Sequence, residues 1–237
     1  MPKDSFQFKQ FTIYQTGSTL KVCTDSCLFG AWVASQSGEA KRVLDIGTGT
    51  GLLVLMYVQK QPSSDVTALE INEESAKLAS ENIANSPWRD RIKVKQTAVQ
   101  EFGPEERFDC IISNPPFFEN QLISEKDKNN LAKHAEGLTR EALLEALLRL
   151  LSKEGITYLL FPEREGGLFS EMADKRGFYL NEEVKVRNKK EGPVFRVMQK
   201  YSFKRKETIT SEIIIYEAHQ VYTASFISLL KEFYLYL

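Results

Sequence analysis

The run Asp45-Ile46-Gly47-Thr48-Gly49-Thr50-Gly51 constrains this 237-residue chain more than any other segment. It joins Arg42-Val43-Leu44-Asp45-Ile46, which reads as a short strand, to residues 51–60, which read as a buried helix. Glycine is needed where backbone turns at positive φ or approaches a ligand closely. A helix that opens there offers free amide groups. The next strand-like run ends on Glu70, about 20 residues on, placed to accept from both hydroxyls of a ribose. In an open α/β sheet, ligands bind at the carboxyl ends of the strands. This order of strand, glycines, helix and acid predicts a site for a nucleoside-containing cofactor. A dinucleotide fingerprint would need its third glycine where Leu52 stands.

Strand and helix patterns alternate along the chain, which predicts an α/β fold with a mostly parallel sheet. Helices are expected at residues 24–36, 51–60, 73–85, 139–152, 163–176 and 223–235. Strands are expected at 42–46, 65–70, 92–96, 108–113, 155–161, 194–203 and 209–216, which makes seven. Residues 117–137 are polar and aperiodic and read as a mobile loop. No repeat or low-complexity linker divides the sequence, so one domain over 1–237 is expected.

Apolar residues at 42% exclude global disorder. No apolar run reaches the ~20 residues of a membrane span, and residues 1–6 lack the apolar stretch of a signal peptide, so the expected location is cytoplasmic. Cys23, Cys27 and Cys110, with His134 and His219, lack the paired spacings of a metal site, and the thiols are expected reduced. The formal charge of −1 argues at first sight against nucleic acid. That average conceals residues 184–206, which carry Lys185, Arg187, Lys189, Lys190, Arg196, Lys200, Lys204, Arg205 and Lys206 against the single acid Glu191, a net of +8. Phe195, Tyr201 and Phe203 interleave with them. A basic strand–loop–strand of this kind can line phosphates.

Ser113-Asn114-Pro115-Pro116-Phe117 follows the fourth strand. Two prolines lock the backbone and remove two N–H donors. The Asn114 side-chain oxygen and the Pro115 carbonyl remain, and both can accept from one planar amino group. Phe117 offers a flat face for stacking, worth ~1–3 kcal/mol per base. An exocyclic amine is a poor nucleophile because its lone pair is delocalised. Two acceptors can pull its nitrogen toward tetrahedral geometry and stabilise the positive charge that develops there. No strong general base is required.

The run DIGTGTG resembles motif I of class I S-adenosylmethionine-dependent methyltransferases, and NPPF resembles motif IV of amino-methyltransferases. Three further stretches narrow the likeness. They are Phe8–Phe11 with Leu20–Asp25 and Leu28–Trp32, then Glu81–Trp88, then Glu232–Leu237. Together the chain resembles the bacterial tRNA1(Val) adenine-37 N6-methyltransferase family from about Phe6 to Leu237. The resemblance implies a single Rossmann-like domain with helices on both faces of the sheet and an antiparallel C-terminal strand. It implies that residues 1–38 cap a catalytic core at 39–237. It implies S-adenosylmethionine as cofactor, the anticodon loop of a tRNA as partner, and a monomer. Asp45, beside the methionine moiety, would bind the cofactor with Gly47, Thr48, Gly49, Gly51, Glu70 and Ile71. Lys21, Thr24 and Asp25 would close over it, Asn114 would also touch it, and Asn114, Pro115, Pro116 and Phe117 would hold the base. Such enzymes often place an acid after the third strand for the cofactor adenine, whereas this chain has Gln96-Thr97-Ala98-Val99-Gln100. The same chemistry on rRNA or DNA adenine, or on a protein glutamine, is the alternative. A non-catalytic RNA-binding protein would not need the intact Asn114 and glycine loop.

Overall fold

The computed structural model describes residues 4–16, 21–36, 38, 40–103, 107–116 and 138–237. A small antiparallel hairpin, β1 (Ser5–Gln7) and β2 (Thr12–Tyr14), precedes helix α1 (Thr24–Gln36). Then follow β3 (Arg42–Ile46), α2 (Leu52–Lys60), β4 (Asp65–Glu70), α3 (Glu73–Ala84), β5 (Ile92–Gln96) and β6 (Phe108–Ser113). After the loop expected at 117–137, which lies outside the described residues, come α4 (Arg140–Leu150), β7 (Leu151–Phe161), α5 (Glu163–Asp174) and β8 (Tyr179–Arg187). The chain ends with β9 (Val194–Ser202), β10 (Ile209–Ile214), the short pair β11 (Tyr216–Ala218) and β12 (Val221–Tyr222), and α6 (Ala224–Leu230).

The central sheet has eight strands in the order β10-β8-β9-β7-β6-β3-β4-β5. It therefore exceeds the expected seven by one. The strand the sequence pattern hides is β8, whose centre Asn181-Glu182-Glu183 is polar and whose side chains are mostly half-buried. Only β9 runs against the others, inserted between β7 and β8 rather than at an edge.

Residues reach this architecture for local reasons. Asn72, Thr139 and Thr223 each accept a backbone N–H from the third residue onward and so start α3, α4 and α6. The buried strands β3 and β6 are apolar on both faces, as a strand covered by helices on both sides requires. One apolar core lies between the sheet and α1, α2 and α6, with Trp32 edge-on to Tyr158 at 5.3 Å. A second lies under α4 and α5. Gly166 in α5 is required there, because a Cβ would come within 2.5 Å of Val197 on β9. Among the described residues no helix is long and apolar enough to cross a membrane.

Candidate active site

The parallel ladder brings three chain positions to one level. Ile46 of β3 pairs with Leu69 of β4 on one side and with Ser113 of β6 on the other. Gly47, Glu70 and Asn114, the next residues along, lie at the carboxyl ends of these three neighbouring strands. Strand spacing puts Glu70 and Asn114 about 10 Å apart across Gly47. The buried Ser113 hydroxyl donates to the Ile46 carbonyl at 2.8 Å and holds the level. From β3 the chain winds toward β5, and from β6 it winds toward β7, so the crevice between β3 and β6 is where such sheets bind ligands.

The glycine turn is built by its neighbours. The N–H groups of Gly47 and Thr48 both donate to the Leu69 carbonyl at 2.9 Å, and Gly51 N–H returns to the Thr48 carbonyl. Gly47, Gly49 and Gly51 have φ of 75°, 56° and 82°, which a side chain would strain. A Cβ at Gly47 or Gly49 would meet nothing within 4 Å, so space beside the loop is open. Glu70 is set by two amides: Oε2 accepts from Gly49 N–H at 2.9 Å and Oε1 from Asn72 N–H at 3.0 Å.

Asp45 is the unusual group. It is fully buried, and neither carboxyl oxygen has a hydrogen-bond partner. Burial pushes its pKa up to about 7. The Thr48 hydroxyl, close by but itself unpaired, works the other way, and the charge of Glu70 adds to the rise. A buried carboxylate without a partner is costly, so its retention points to a cationic partner supplied by a ligand. Two unpaired acceptors, an open glycine cradle and the preset Glu70 fit a positively charged nucleoside. Ile71, 54% exposed, gives an apolar surface next to Glu70.

Asn114 is half-buried, Pro115 buried and Pro116 exposed, while Phe117 lies outside the described residues. The Asn114 Nδ2 donates to Ser26 Oγ at 3.2 Å, which leaves Oδ1 as the end available to another donor. Thr24 and Asp25 open α1 beside Ser26, and Lys21 is exposed just before it. Asp25 is committed within the protein: it accepts from Ser26 N–H and pairs with Arg196 at 2.8 Å. Cys27 is buried, with its thiol pushed up to about 12, and Cys110 is also buried, whereas Cys23 is exposed.

Two residues with structural leverage here escape sequence reasoning. Ser26 carries no signal of its own, because its partner is 88 residues away. Asn82 on α3 is buried; its Oδ1 accepts Tyr14 N–H, and its Nδ2 donates to the carbonyls of Tyr14 and Thr50. It thus fastens the first hairpin to the glycine turn.

The profile of the methyltransferase small domain matches residues 26–143. A tRNA1(Val) (adenine(37)-N6)-methyltransferase of Dyadobacter fermentans is 43% identical over 242 residues, covering 99% of both chains. The protein of the same name from Bacteroides thetaiotaomicron is 37% identical over the whole of both. The chain belongs to the tRNA1(Val) (adenine(37)-N6)-methyltransferase family. Among solved structures, a predicted O-methyltransferase of Agrobacterium tumefaciens superimposes with a TM-score of 0.68 at 17% identity, covering 88% of this chain and 96% of that one. A glycopeptide N-methyltransferase in complex with S-adenosylmethionine gives 0.54 at 13% identity, covering 75% of this chain and 93% of that one. These likenesses establish the class I methyltransferase fold.

In this member of the tRNA1(Val) (adenine(37)-N6)-methyltransferase family, the basic segment does not form one surface. Val197 of β9 pairs with Phe161 at the end of β7, at the site end of the sheet. Tyr201 pairs with Thr157, lower on the same strand. Lys185, Arg187, Lys189, Lys190 and Arg196 therefore gather at the site end, and Lys204, Arg205 and Lys206 at the other. The nine residues of β9 separate the two groups by about 27 Å. Many of the cations are matched by acids: Lys185 by Glu183, Arg187 by Glu212, Arg196 by Asp25, Lys200 by Glu182, Lys204 by Glu154 and Arg205 by Asp174. Lys189, Lys190 and Lys206 have no acid within ion-pair distance among the described residues.

Proposed function

We propose that this protein transfers a methyl group from S-adenosyl-L-methionine to the N6 amine of an adenine in tRNA, at adenine 37 of tRNA1(Val), the substrate in its relatives' names. The observation that carries this reading is the alignment of the unpaired, buried Asp45, the open glycine turn, Glu70 and Asn114 at the carboxyl ends of adjoining strands.

S-adenosylmethionine, when bound, supplies a methyl group on a positively charged sulfur. Asp45 offers a carboxylate to the cofactor's ammonium, and Glu70 accepts from its ribose. Gly47, Gly49 and Gly51 keep the backbone clear, Thr48 offers its hydroxyl, and Ile71 packs against the adenine. Lys21 and Thr24 stand at the cofactor end of α1. Asn114 Oδ1 and the Pro115 carbonyl accept the two hydrogens of the substrate amine. That aligns the nitrogen lone pair and stabilises charge as it forms, while proximity supplies the remainder. The sequence motif assigns Phe117 as the stacking face for the base. The amine loses one proton to water after transfer, so no side-chain base is needed.

The anticodon loop makes this inexpensive, because its bases are already unpaired and can enter a concave site. Lys189 and Lys190, at the hairpin tip and without an acid partner among the described residues, are the leading phosphate ligands, supported by Lys185 and Arg187. Residues 1–237 act as one unit, working as a monomer in the cytoplasm, with 1–38 capping the site. The decisive experiment is mass spectrometry of nucleosides from tRNA incubated with enzyme and cofactor. N6-methyladenosine in tRNA is expected. Methylation of rRNA, DNA or a release-factor glutamine without tRNA would overturn the reading.

A further inference from the structure

We infer that Ser26 is a positioning residue for methyl transfer, holding the Asn114 carboxamide at the end of a hydrogen-bond chain that begins at Arg196. This deepens the role given to Asn114 above and rests on it. Only the oxygen end of that carboxamide can serve an amine; a flipped amide would oppose one donor with another. A fixed partner for the nitrogen selects the productive end.

Ser26 supplies that partner. It lies in the first turn of α1, is 7% exposed, and its Oγ stands 3.2 Å from Asn114 Nδ2 and 2.9 Å from Cys23 Sγ. The oxygen accepts from Asn114, and the contact with the Cys23 sulfur, in which either group can donate, holds the hydroxyl from a second side. Ser26 is itself held. Its N–H donates to Asp25 Oδ1 at 3.0 Å, and Asp25 Oδ2 accepts from Arg196 Nε at 2.8 Å. Arg196 is the third residue of β9, 171 residues away in sequence, and both side chains of the ion pair are largely shielded from water. A cation that reads in sequence as a phosphate ligand is thus turned inward, and the β9 end of the basic hairpin is tied to the residue that orients the substrate amine.

Steady-state kinetics on tRNA test this, with cofactor affinity measured on the same variants. Ser26→Ala should lower kcat about three- to tenfold, the scale of one lost hydrogen bond, while KM for tRNA and cofactor affinity move less than twofold. Ser26→Thr, which keeps the hydroxyl, should restore most of the rate. In an Asn114→Ala background, Ser26→Ala should cost nothing more, because the group it orients is gone. An unchanged kcat for Ser26→Ala, or a loss that multiplies with Asn114→Ala, overturns the inference and leaves the proposed function standing. Full activity of Asn114→Ala alone overturns the underlying reading instead. Arg196→Ala should reproduce the kcat loss with an unaltered salt dependence of tRNA binding. A slope reduced by ~0.7–0.9 would place Arg196 on a phosphate and break the chain at its start.

Discussion

Asp45 and Asp109 sit on neighbouring parallel strands, at opposite ends of the sheet, and are treated in opposite ways. Asp109, near the start of β6, accepts from the N–H groups of Lys41 and Arg42 at 3.1 and 3.0 Å and so ties β6 to the entry of β3. Asp45, near the exit of β3, is buried with both oxygens unpaired. The same contrast holds more widely. At the entry end, Lys204 and Arg205 meet Glu154 and Asp174, and Ser64 donates to the Ala40 carbonyl. At the exit end, acceptors and open space are left for something outside the chain. For these two carboxylates, the one satisfied internally holds the fold and the one left unpaired, beside the open glycine turn, faces the place where a ligand's charge can be received.

The contrast would break most visibly at Asn114. Asn114→Ala should reduce kcat about 10²–10³-fold, as losing an acceptor for developing charge does, with cofactor affinity little changed. Retained activity would deny the exit end its catalytic character. Next in size, Asp45→Asn should weaken S-adenosylmethionine binding about 10–100-fold by calorimetry, the scale of a lost charged hydrogen bond. The same change should stabilise the cofactor-free protein by about 1–3 kcal/mol at pH 8, because a buried unpaired charge is removed. Asp109→Asn should do the reverse, costing about 1 kcal/mol in denaturant unfolding and leaving cofactor affinity unaltered.

A pH series sharpens the same point. The folded-state pKa of Asp45 is raised to about 7 from an ordinary carboxylate value near 3.8. Its contribution to the stability of the cofactor-free protein is therefore full below about pH 4 and is lost as pH rises through 7. The cofactor's ammonium favours the ionised form, so cofactor affinity should climb as pH rises from 6 to 8 and then level off. Asp45→Asn should flatten that profile. The smallest effect separates the two ends of β9. Replacing Lys189 and Lys190 should lower the salt slope of tRNA binding by ~0.7–0.9 for each phosphate no longer neutralised, whereas replacing Lys204, Arg205 and Lys206 should lower it less.

Much of the site half of the molecule was legible in sequence. The strands expected at 42–46, 65–70, 92–96 and 108–113 are the observed β3 to β6: three are short apolar runs ended by a glycine, an acid or an Asn-Pro turn, and β5 shows the alternation of a strand at the sheet edge. The C-terminal third was less so. Strand β7 begins at Leu151, four residues earlier than expected, since α4 passes into it without a turn residue to mark the change. The helix expected to run to residue 235 ends at Leu230. Helix α5 tolerates Gly166-Gly167, which weaken its pattern, because close packing on β9 excludes a side chain at Gly166. Contiguous charge could not reveal that a hairpin sends Lys189 and Lys204 to opposite ends of the sheet. Nor could any local pattern reveal Ser26 or Asn82, whose partners are chosen by the tertiary fold.

The first hairpin is secured by residues made some 220 positions later. Phe8 bridges to Tyr234, and Lys9 N–H donates to the Phe233 carbonyl. Through Tyr14 and Asn82 that hairpin also steadies the turn at Thr50. During synthesis the sheet can assemble as its strands emerge from the ribosome, yet this clasp cannot shut until residues 233 and 234 have been made. Closing so long a loop is entropically slow work. The sheet and its first hairpin are thus fastened on different schedules: neighbouring strands meet early, and the clasp waits for residues 233 and 234.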